Sequence, residues 1–162
     1  MSISKARTIE IVRAGVEDVD TVVPLFDAYR QFYKLPANEE AARRYLHARL
    51  LKEEAVIFVA LEESGAARRG GRAALGFTLL YPTWSSLSLL PWWNLNDLYV
   101  VPEARKRGVA RALMAQAQQL AEETGAAGLG LETAKNNYPA QQLYEQLGWK
   151  RDEEFFRYEI HV

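Results

Sequence analysis

Cysteine is absent from this 162-residue chain, and histidine occurs only twice. Without cysteine there can be no disulfide, no thiolate metal ligand and no cysteine nucleophile. His47 falls in a charged helical stretch and His161 is the penultimate residue, so a histidine-rich metal site or a Ser-His-Asp triad has little to build on. We therefore expect no metal site.

A charge imbalance and a long apolar run are also missing. The 20 Lys and Arg residues nearly balance 21 Asp and Glu, which argues against a general binder of nucleic acid or anionic membrane but leaves room for a local basic patch. No stretch approaches the ~20 apolar residues that span a bilayer, and the N-terminus has no signal-like apolar segment. We expect a cytoplasmic protein that binds neither nucleic acid nor membrane.

What is present is the composition of a globular domain, with 49% hydrophobic and 25% charged residues. We predict a single domain over residues 1–162, a mixed α/β sheet with antiparallel N-terminal strands, a central β-α-β crossover and helices on both faces. In the N-terminal half the patterns predict a strand at 8–13, helices at 17–34 and 38–52, and strands at 55–61 and 74–81 that flank a mobile hairpin-type loop at 62–72. An irregular aromatic segment follows at 82–93. The C-terminal half is predicted to contain a strand at 95–101, a helix at 106–123, a strand at 128–133, a short helix after Asn137, and a final strand pair at 149–151 and 155–162.

One turn combines the features of an anion site. In NDLYVVPEARKRGVARALM, residues 94–112, a strand is followed by three cations, a glycine and a helix of small residues. A helix N-terminus offers free N–H groups and about half a positive charge, and phosphate oxygens commonly bind there. Gly108 permits close backbone approach and Ala110 keeps the next turn slim. The turn therefore suits a pyrophosphate; the open alternative is a solvated loop in which Gly108 simply starts the helix.

Two nucleotide-binding patterns, G-x-x-x-x-G-K-[ST] and G-x-G-x-x-G, are missing. Instead, VVPEARKRGVARALM resembles the signature of the GNAT superfamily of acyl-CoA-dependent N-acetyltransferases, a strand ending in V-x-P followed by [RQ]-x-x-G-x-[GA]. Arg105, Gly108 and Ala110 fill its defined positions. Further on, NNYPAQQLYEQLGW is similar to the family segment N-x-x-A-x-x-[LF]-Y-x-x-x-G-[FW].

The resemblance implies a GNAT-like fold with acetyl-CoA as co-substrate, lying in a wedge between splayed central strands. It also implies that the pantetheine arm pairs with the main chain of Leu98, Tyr99 and Val100, and that Asn137 contacts the same part of the cofactor. Asn137 equally suits the N-cap of the helix that follows, and the two roles are compatible. The pyrophosphate is assigned to the basic turn and the helix start, namely Arg105, Lys106, Arg107, Gly108, Val109, Ala110 and Arg111.

Acetyl transfer to an amine requires a proton donor for the departing thiolate. Tyr144 suits this task, because a phenol with a pKa of ~10 is protonated at neutral pH and can donate toward sulfur. Its position beside the cofactor is implied by the resemblance alone. The alternative is a core aromatic residue whose hydroxyl is satisfied elsewhere.

The amine must also lose a proton, and two carboxylates are candidate bases. Asp97, on the strand leading to the cofactor, is the first candidate base, and Glu132, on the next strand, is the second. For each of them the alternative is a carboxylate with a purely structural role. Some family members, including polyamine acetyltransferases, carry Glu immediately before this Asp, where this chain has Asn96. Positioning of the reactants alone can lower the activation barrier by ~7–11 kcal/mol, so a dedicated base is not required.

The acceptor pocket is expected from the first two helices and the loop before the central strand. The segment FDAYRQFY contributes polar and aromatic groups, and an aromatic loop follows later; the candidates are Asp27, Tyr29, Gln31, Tyr33, Trp84, Trp92 and Trp93. The tryptophans would wall the pocket or pack against a second subunit.

The predicted activity is acetyl-CoA-dependent N-acetyl transfer to a primary amine of a small molecule by direct attack on the thioester. One alternative is a non-catalytic acyl-CoA-binding sensor or interaction domain. Another is a protein N-acetyltransferase, for which the sequence has no peptide-groove signature. We also expect a homodimer, because the C-terminal strand and the tryptophan-rich loop offer apolar or edge surface.

Overall fold

A computed structural model describes residues 8–63 and 71–162. Most of the loop predicted at 62–72 lies outside these residues. The chain divides into two compact units, of which the first ends at Glu132 and the second spans Thr133–Val162.

The first unit contains a five-stranded sheet. Its strands are adjacent in chain order: β1 (Ile9–Arg13), β2 (Val56–Glu63), β3 (Arg72–Ser85), β4 (Leu90–Val100) and β5 (Gly128–Leu131). The first four pair antiparallel, whereas β4 and β5 are parallel and joined by helix α3 (Val109–Glu123). The predicted mixed sheet with antiparallel N-terminal strands and a β-α-β crossover is confirmed.

Two further helices precede β2. A short 3₁₀ turn, Val16–Asp18, leads into α1 (Val19–Phe32), and α2 (Glu39–Leu51) follows. The Asn38 side chain caps α2 as predicted, because its Oδ1 accepts a hydrogen bond from the Ala41 N–H at 3.0 Å. Both predicted helices are therefore present, each a few residues shorter than the patterns suggested.

The core of this unit lies between α1, α2 and one face of the sheet. Ile57, Val59, Phe77 and Leu79 meet the buried side chains of the two helices, among them Val22, Val23 and Leu46. Successive strand residues point to opposite faces, so Ala60 and Leu80, also fully buried, face the side against which α3 packs. Each fully buried Val, Leu, Ile or Phe side chain contributes roughly 1.5–3 kcal/mol.

The prediction of an irregular segment at 82–93 is wrong. β3 and β4 form one long hairpin, in which Pro82 pairs with Trp93 and Pro91 with Trp84. The prolines are tolerated because the β2 pairing of β3 ends at Leu80, and because Pro91 offers only its carbonyl, which accepts from the Ala127 N–H at 2.8 Å.

The second unit consists of α4 (Tyr138–Gln146) and the residues around it. Asn137 caps this helix, accepting from the Ala140 N–H at 3.4 Å, and Pro139 occupies the first turn. The strand pair predicted at 149–151 and 155–162 is wrong: the structure assigns no strand there. The alternating apolar pattern is real, but Phe156, Tyr158 and Ile160 are 87–89% exposed, and a strand requires a partner for its backbone groups.

Candidate functional site

The central strand β4 extends beyond the end of its parallel neighbour β5. β5 pairs only with Trp92–Leu95, whereas β4 continues to Val100 on the β3 side alone, within the part of the chain that the structure describes. At the point of separation β4 carries a bulge, because Leu79 pairs with Asp97 and Leu80 with Leu95, leaving Asn96 as the extra residue. A bulge bends a strand and changes the aim of its side chains. Among the described residues, β4 therefore has no partner strand on this side from Asn96 to Val100.

Asp97 lies immediately after this bulge and is only 5% exposed. Burial raises the pKa of its carboxyl from the ordinary 3.8 to about 6, and hydrogen bonds from Tyr29 and Asn96 partly offset that increase. The Asn96 amide donates to Oδ1 at 3.0 Å, and the Asp97 carbonyl accepts from the Thr78 hydroxyl at 2.9 Å. The side chain is thus a fixed carboxylate of raised basicity, as a general base requires.

Four tyrosines gather on the same face of the sheet as Asp97. We call them the phenol cluster: Tyr29, Tyr33, Tyr45 and Tyr81. Tyr29 hydrogen-bonds both Asp97 and Tyr33, and the hydroxyls of Tyr45 and Tyr81 share a hydrogen bond. Burial is the main cause that raises the pKa of Tyr29 and of Tyr81 above the usual phenol value, so these groups stay protonated at neutral pH. Sequence reasoning named Tyr29 and Tyr33 as pocket residues but missed Tyr81, which the β3–β4 register places near Asp97, and Tyr45, which α2 brings against Tyr81.

The basic turn follows β4 directly. Lys106 and Gly108 both have left-handed backbones, with φ of 60° and 80°. Gly108 is the N-cap of α3 and, having no side chain, supplies no capping hydrogen bond. The N–H groups of Val109 and Ala110 in the first turn therefore have no partner within the helix. A Cβ built on Gly108 meets no atom within 4 Å, so the Cβ side of Gly108 is open.

Two of the three cations of the turn are tied back to the sheet. The Arg105 Nε donates to the Val100 carbonyl at 3.1 Å, and its guanidinium lies 6.0 Å from the centre of the Tyr99 ring. Arg107 forms an ion pair with Glu62 of β2, whose side chain is 5% exposed. Sequence reasoning missed Glu62, which reads as one more acidic residue at the end of a strand.

These features fit an extended cofactor with a pyrophosphate. The open edge of β4 offers backbone groups to an amide-containing arm at Leu98–Val100, and the α3 N-terminus offers amide donors and a partial positive charge to an anion. The first turn of α3 carries no acidic residue that would oppose binding.

The other candidate catalytic residues lie outside this stretch. Glu132 is exposed and directly follows β5. Tyr144 lies on α4 in the second unit, half-buried, with its ring 6.3 Å from that of Trp149. Asn137 is the N-cap of the same helix.

Asp27 and the tryptophans have roles that sequence reasoning left open. The Asp27 carboxylate accepts from the Gln31 side chain at 2.9 Å and from the Asn38 N–H at 2.8 Å, which ties α1 to the start of α2. Trp93 is buried and donates to the Thr124 hydroxyl at 2.9 Å. Trp92 lies against Gly128 and Gly130 of β5, whereas Trp84 is 76% exposed.

Within residues 8–63 and 71–162, no group of three or more His, Asp or Glu side chains is arranged to hold a metal ion. None of the helices described here is both long enough and apolar enough to cross a membrane.

Comparison with known proteins agrees with this geometry. The model of the Acetyltransferase (GNAT) family matches residues 22–149. YhfO, an uncharacterized N-acetyltransferase of Bacillus subtilis (strain 168), is 40% identical over 154 residues, 95% of this chain and 98% of YhfO. A crystal structure of a probable acetyltransferase is 41% identical, with a TM-score of 0.84 over 94% of this chain and 97% of that chain.

A more distant structure, aminoglycoside N-acetyltransferase AAC(6')-Iy in complex with CoA, shares the fold. Its TM-score is 0.78 at 19% identity, over 99% of this chain and 100% of that chain. With a family model that covers most of its length and a relative that matches it nearly end to end, this chain belongs to the acetyltransferase (GNAT) family and is an N-acetyltransferase.

Proposed function

We propose that this N-acetyltransferase moves an acetyl group from acetyl-CoA to the primary amine of a small molecule, with the amine attacking the thioester directly. One observation carries the proposal: a buried carboxylate, an open backbone edge and an uncapped helix N-terminus follow one another between Asp97 and Arg111. A proton acceptor, a binding edge and an anion site are thereby arranged along one stretch of chain.

The cofactor assignments follow that order. The main chain of Leu98, Tyr99 and Val100 binds the pantetheine arm, and the turn and helix start from Arg105 to Arg111 bind the pyrophosphate. Asn137 adds a contact to the pantetheine part through the side of its amide that does not cap α4. Bound there, acetyl-CoA supplies an acetyl group activated as a thioester, which is the donor that the family uses.

Asp97 is the proposed general base. A lysine-like amine has a pKa of ~10.4 and attacks only in its neutral form. As the N–C bond forms, the nitrogen gains positive charge and becomes acidic, and the Asp97 carboxylate accepts its proton. With a pKa of about 6, this carboxylate is mostly ionised at neutral pH yet holds a proton better than an ordinary aspartate. Glu132, exposed at the end of β5, is the second candidate.

Tyr144 is the proposed proton donor to the leaving group. As the C–S bond breaks, its electron pair leaves with sulfur, and the Tyr144 hydroxyl donates a hydrogen bond or a proton to it. A phenol of ordinary pKa ~10 is matched closely enough to a thiol of ~8.5 for this exchange.

The acceptor is proposed to bind beside the phenol cluster. Tyr33 and Tyr45 are 47% and 39% exposed, so their rings present aromatic surface to solvent next to the buried Asp97. Aromatic faces and a carboxylate both attract a protonated amine before it loses its proton.

The test is turnover against a panel of small amines, with free CoA detected by a thiol reagent and the acetylated product identified by mass spectrometry. We expect turnover with at least one primary amine and none with its N-acetylated form. Tight binding of acetyl-CoA by calorimetry, together with no transfer to small amines or to protein, would instead favour the acyl-CoA sensor. Transfer only to lysines or N-termini of proteins would favour the protein N-acetyltransferase.

The homodimer is proposed on the exposed apolar side chains at the turn between β3 and β4. Trp84, Leu87 and Leu89 are 76%, 96% and 84% exposed, and such surface commonly marks a contact between subunits. The single domain and the cytoplasmic location expected from the sequence stay predictions.

A further inference from the structure

A buried carboxylate connects the sheet to the basic turn. Glu62 lies near the end of β2, between β1 and β3, paired with Ile9 on one side and Ala73 on the other. It is 4% exposed, and its carboxylate forms an ion pair with Arg107, 45 residues further along the chain. Placing a carboxylate in the interior is costly unless it is paired. The pair therefore fixes the position of Arg107 relative to a strand inside the sheet.

The turn requires such fixing. Lys106 and Gly108, on either side of Arg107, both have left-handed backbones, a conformation that costs a lysine roughly 1 kcal/mol or more and persists only where neighbours impose it. On the other side of Lys106, the Arg105 side chain is held by the Val100 carbonyl. The turn is thus attached to the sheet at two points, and the exposed Lys106 lies between them in the chain.

We propose that Glu62 and Arg107 are positioning residues for the anion site: the pair holds the turn so that the amides at the start of α3 face the pyrophosphate, and Lys106, not Arg107, supplies the cation that meets it. This inference rests on the proposed binding of CoA at the turn.

A positioning role for Glu62 predicts the direction in which Glu62→Gln changes the Kd for CoA. If Glu62 were only a nearby negative charge, Glu62→Gln would remove repulsion and strengthen CoA binding, by about twofold to fourfold for a screened charge roughly 10 Å away. If Glu62 positions the turn, the same substitution releases Arg107, the turn loses its fixed geometry, and CoA binds more weakly. The two accounts predict opposite changes in Kd.

Calorimetry measures Kd for two probes, CoA and pantetheine, which lacks the pyrophosphate. We expect Glu62→Gln and Arg107→Gln each to raise the CoA Kd about tenfold and to leave the pantetheine Kd unchanged. The double variant should have the same CoA Kd as either single variant, because the two residues act as a unit. Lys106→Gln should weaken CoA binding additively with either and reduce its dependence on salt. The matched control is Glu10→Gln, which removes the ion pair of Glu10 with Arg72 at other positions of the same sheet and should leave both Kd values unchanged.

Equal or tighter CoA binding by folded Glu62→Gln, or additive effects of the Glu62 and Arg107 substitutions, would overturn the positioning role while leaving the CoA site intact. If the wild-type protein binds CoA no better than pantetheine, the turn is not a pyrophosphate site, and this inference is overturned together with the proposed cofactor placement. Should Glu62→Gln fail to fold, Glu62→Asp serves. It keeps the charge but draws Arg107 back by one methylene, so positioning predicts weaker CoA binding and electrostatics alone predicts no change.

Discussion

Asp97→Asn should stabilise the protein while destroying most of its activity. The reason is burial: a carboxylate that is 5% exposed costs free energy when charged. The amide of asparagine resembles the neutral carboxyl in shape and keeps one oxygen to accept from Tyr29 or from Asn96, so the loss of the other hydrogen bond offsets part of the gain. In the folded protein the pKa of Asp97 is raised from 3.8 to about 6. A difference of about two pKa units corresponds to about 3 kcal/mol of unfolding free energy.

The pH dependence gives the sign of the effect. Below the unfolded pKa of 3.8 the carboxyl is neutral in both states, and its ionisation contributes nothing. As the pH rises toward 6, the unfolded state loses its proton first, so wild-type stability falls; above about 6 the full cost is present. We therefore expect Asp97→Asn to be more stable by up to about 3 kcal/mol at pH 7.5, with the gain shrinking toward zero near pH 4.

The assay is urea denaturation of both proteins at pH 7.5 and 4.5, with kcat measured at pH 7.5 on an acceptor found by screening. General-base assistance typically contributes ~10²–10⁴-fold, so kcat should fall by that range. Asp27→Asn is the matched control: this carboxylate, 3% exposed, accepts two hydrogen bonds and lies 3.6 Å from the Arg30 guanidinium, so its loss should destabilise the protein.

Two results would refute the reasoning about Asp97. If Asp97→Asn is less stable than wild type at pH 7.5, or if the difference is the same at both pH values, then the buried charge is not a cost that titrates near pH 6. If kcat is unchanged while the chemical step limits turnover, Asp97 is a structural carboxylate, and catalysis relies on positioning of the reactants alone.

Four further predictions follow from the same site. Tyr29→Phe removes a hydrogen bond that lowers the pKa of Asp97, so the acid limb of kcat/KM, near pH 6, should move up by about one unit; identical limbs would contradict the contact. Gly108→Val, at φ 80°, should weaken CoA binding, measured by calorimetry, at least about tenfold, or about 1.4 kcal/mol. The control Gly125→Val, at φ 64°, imposes similar strain at the other end of α3 and should leave the CoA affinity unchanged. Tyr144→Phe should lower kcat ~10²–10⁴-fold with little change in melting temperature or CoA affinity, whereas a packing role predicts normal turnover. Sedimentation at micromolar concentration should show a dimer, and a clean monomer would exclude it.

How far the sequence predicts this fold depends on whether each signal is local. Asn38 and Asn137 each precede a helical pattern and each caps a helix, because capping depends on only the next few residues. The part of the β3–β4 hairpin nearest its turn, residues 82–93, was missed because Pro82 and Pro91 normally argue against a strand. What makes these prolines acceptable is the end of pairing with β2 and the use of a carbonyl alone, and both depend on residues far away in the chain.

The site shows the same division. The open α3 N-terminus is contiguous in the sequence, so its glycine and cations indicated an anion site directly. The partners of Asp97 and of Arg107 come from elsewhere in the chain. Tyr29 from α1 and Thr78 from β3 contact Asp97, and Glu62 from β2 pairs with Arg107. A single tyrosine or glutamate in a strand or helix gives no local signal of such a contact. The predicted C-terminal strands failed for a related reason, because alternation reports which side chains are apolar and not whether another strand is available to pair with them.

The candidate site is a segment in which several departures from regular structure follow one another. Between Asn96 and Gly108 lie a bulge, a strand edge without a parallel partner, a buried carboxylate of raised pKa and two left-handed residues, followed by a helix with no capping side chain. The helices α2 and α4, by contrast, each begin with a capping asparagine. Each departure carries a free-energy cost of order 1 kcal/mol or more, and each leaves a backbone group or a charge available to a ligand. This row of available backbone groups suits an extended, amide-bearing anion that satisfies them on binding.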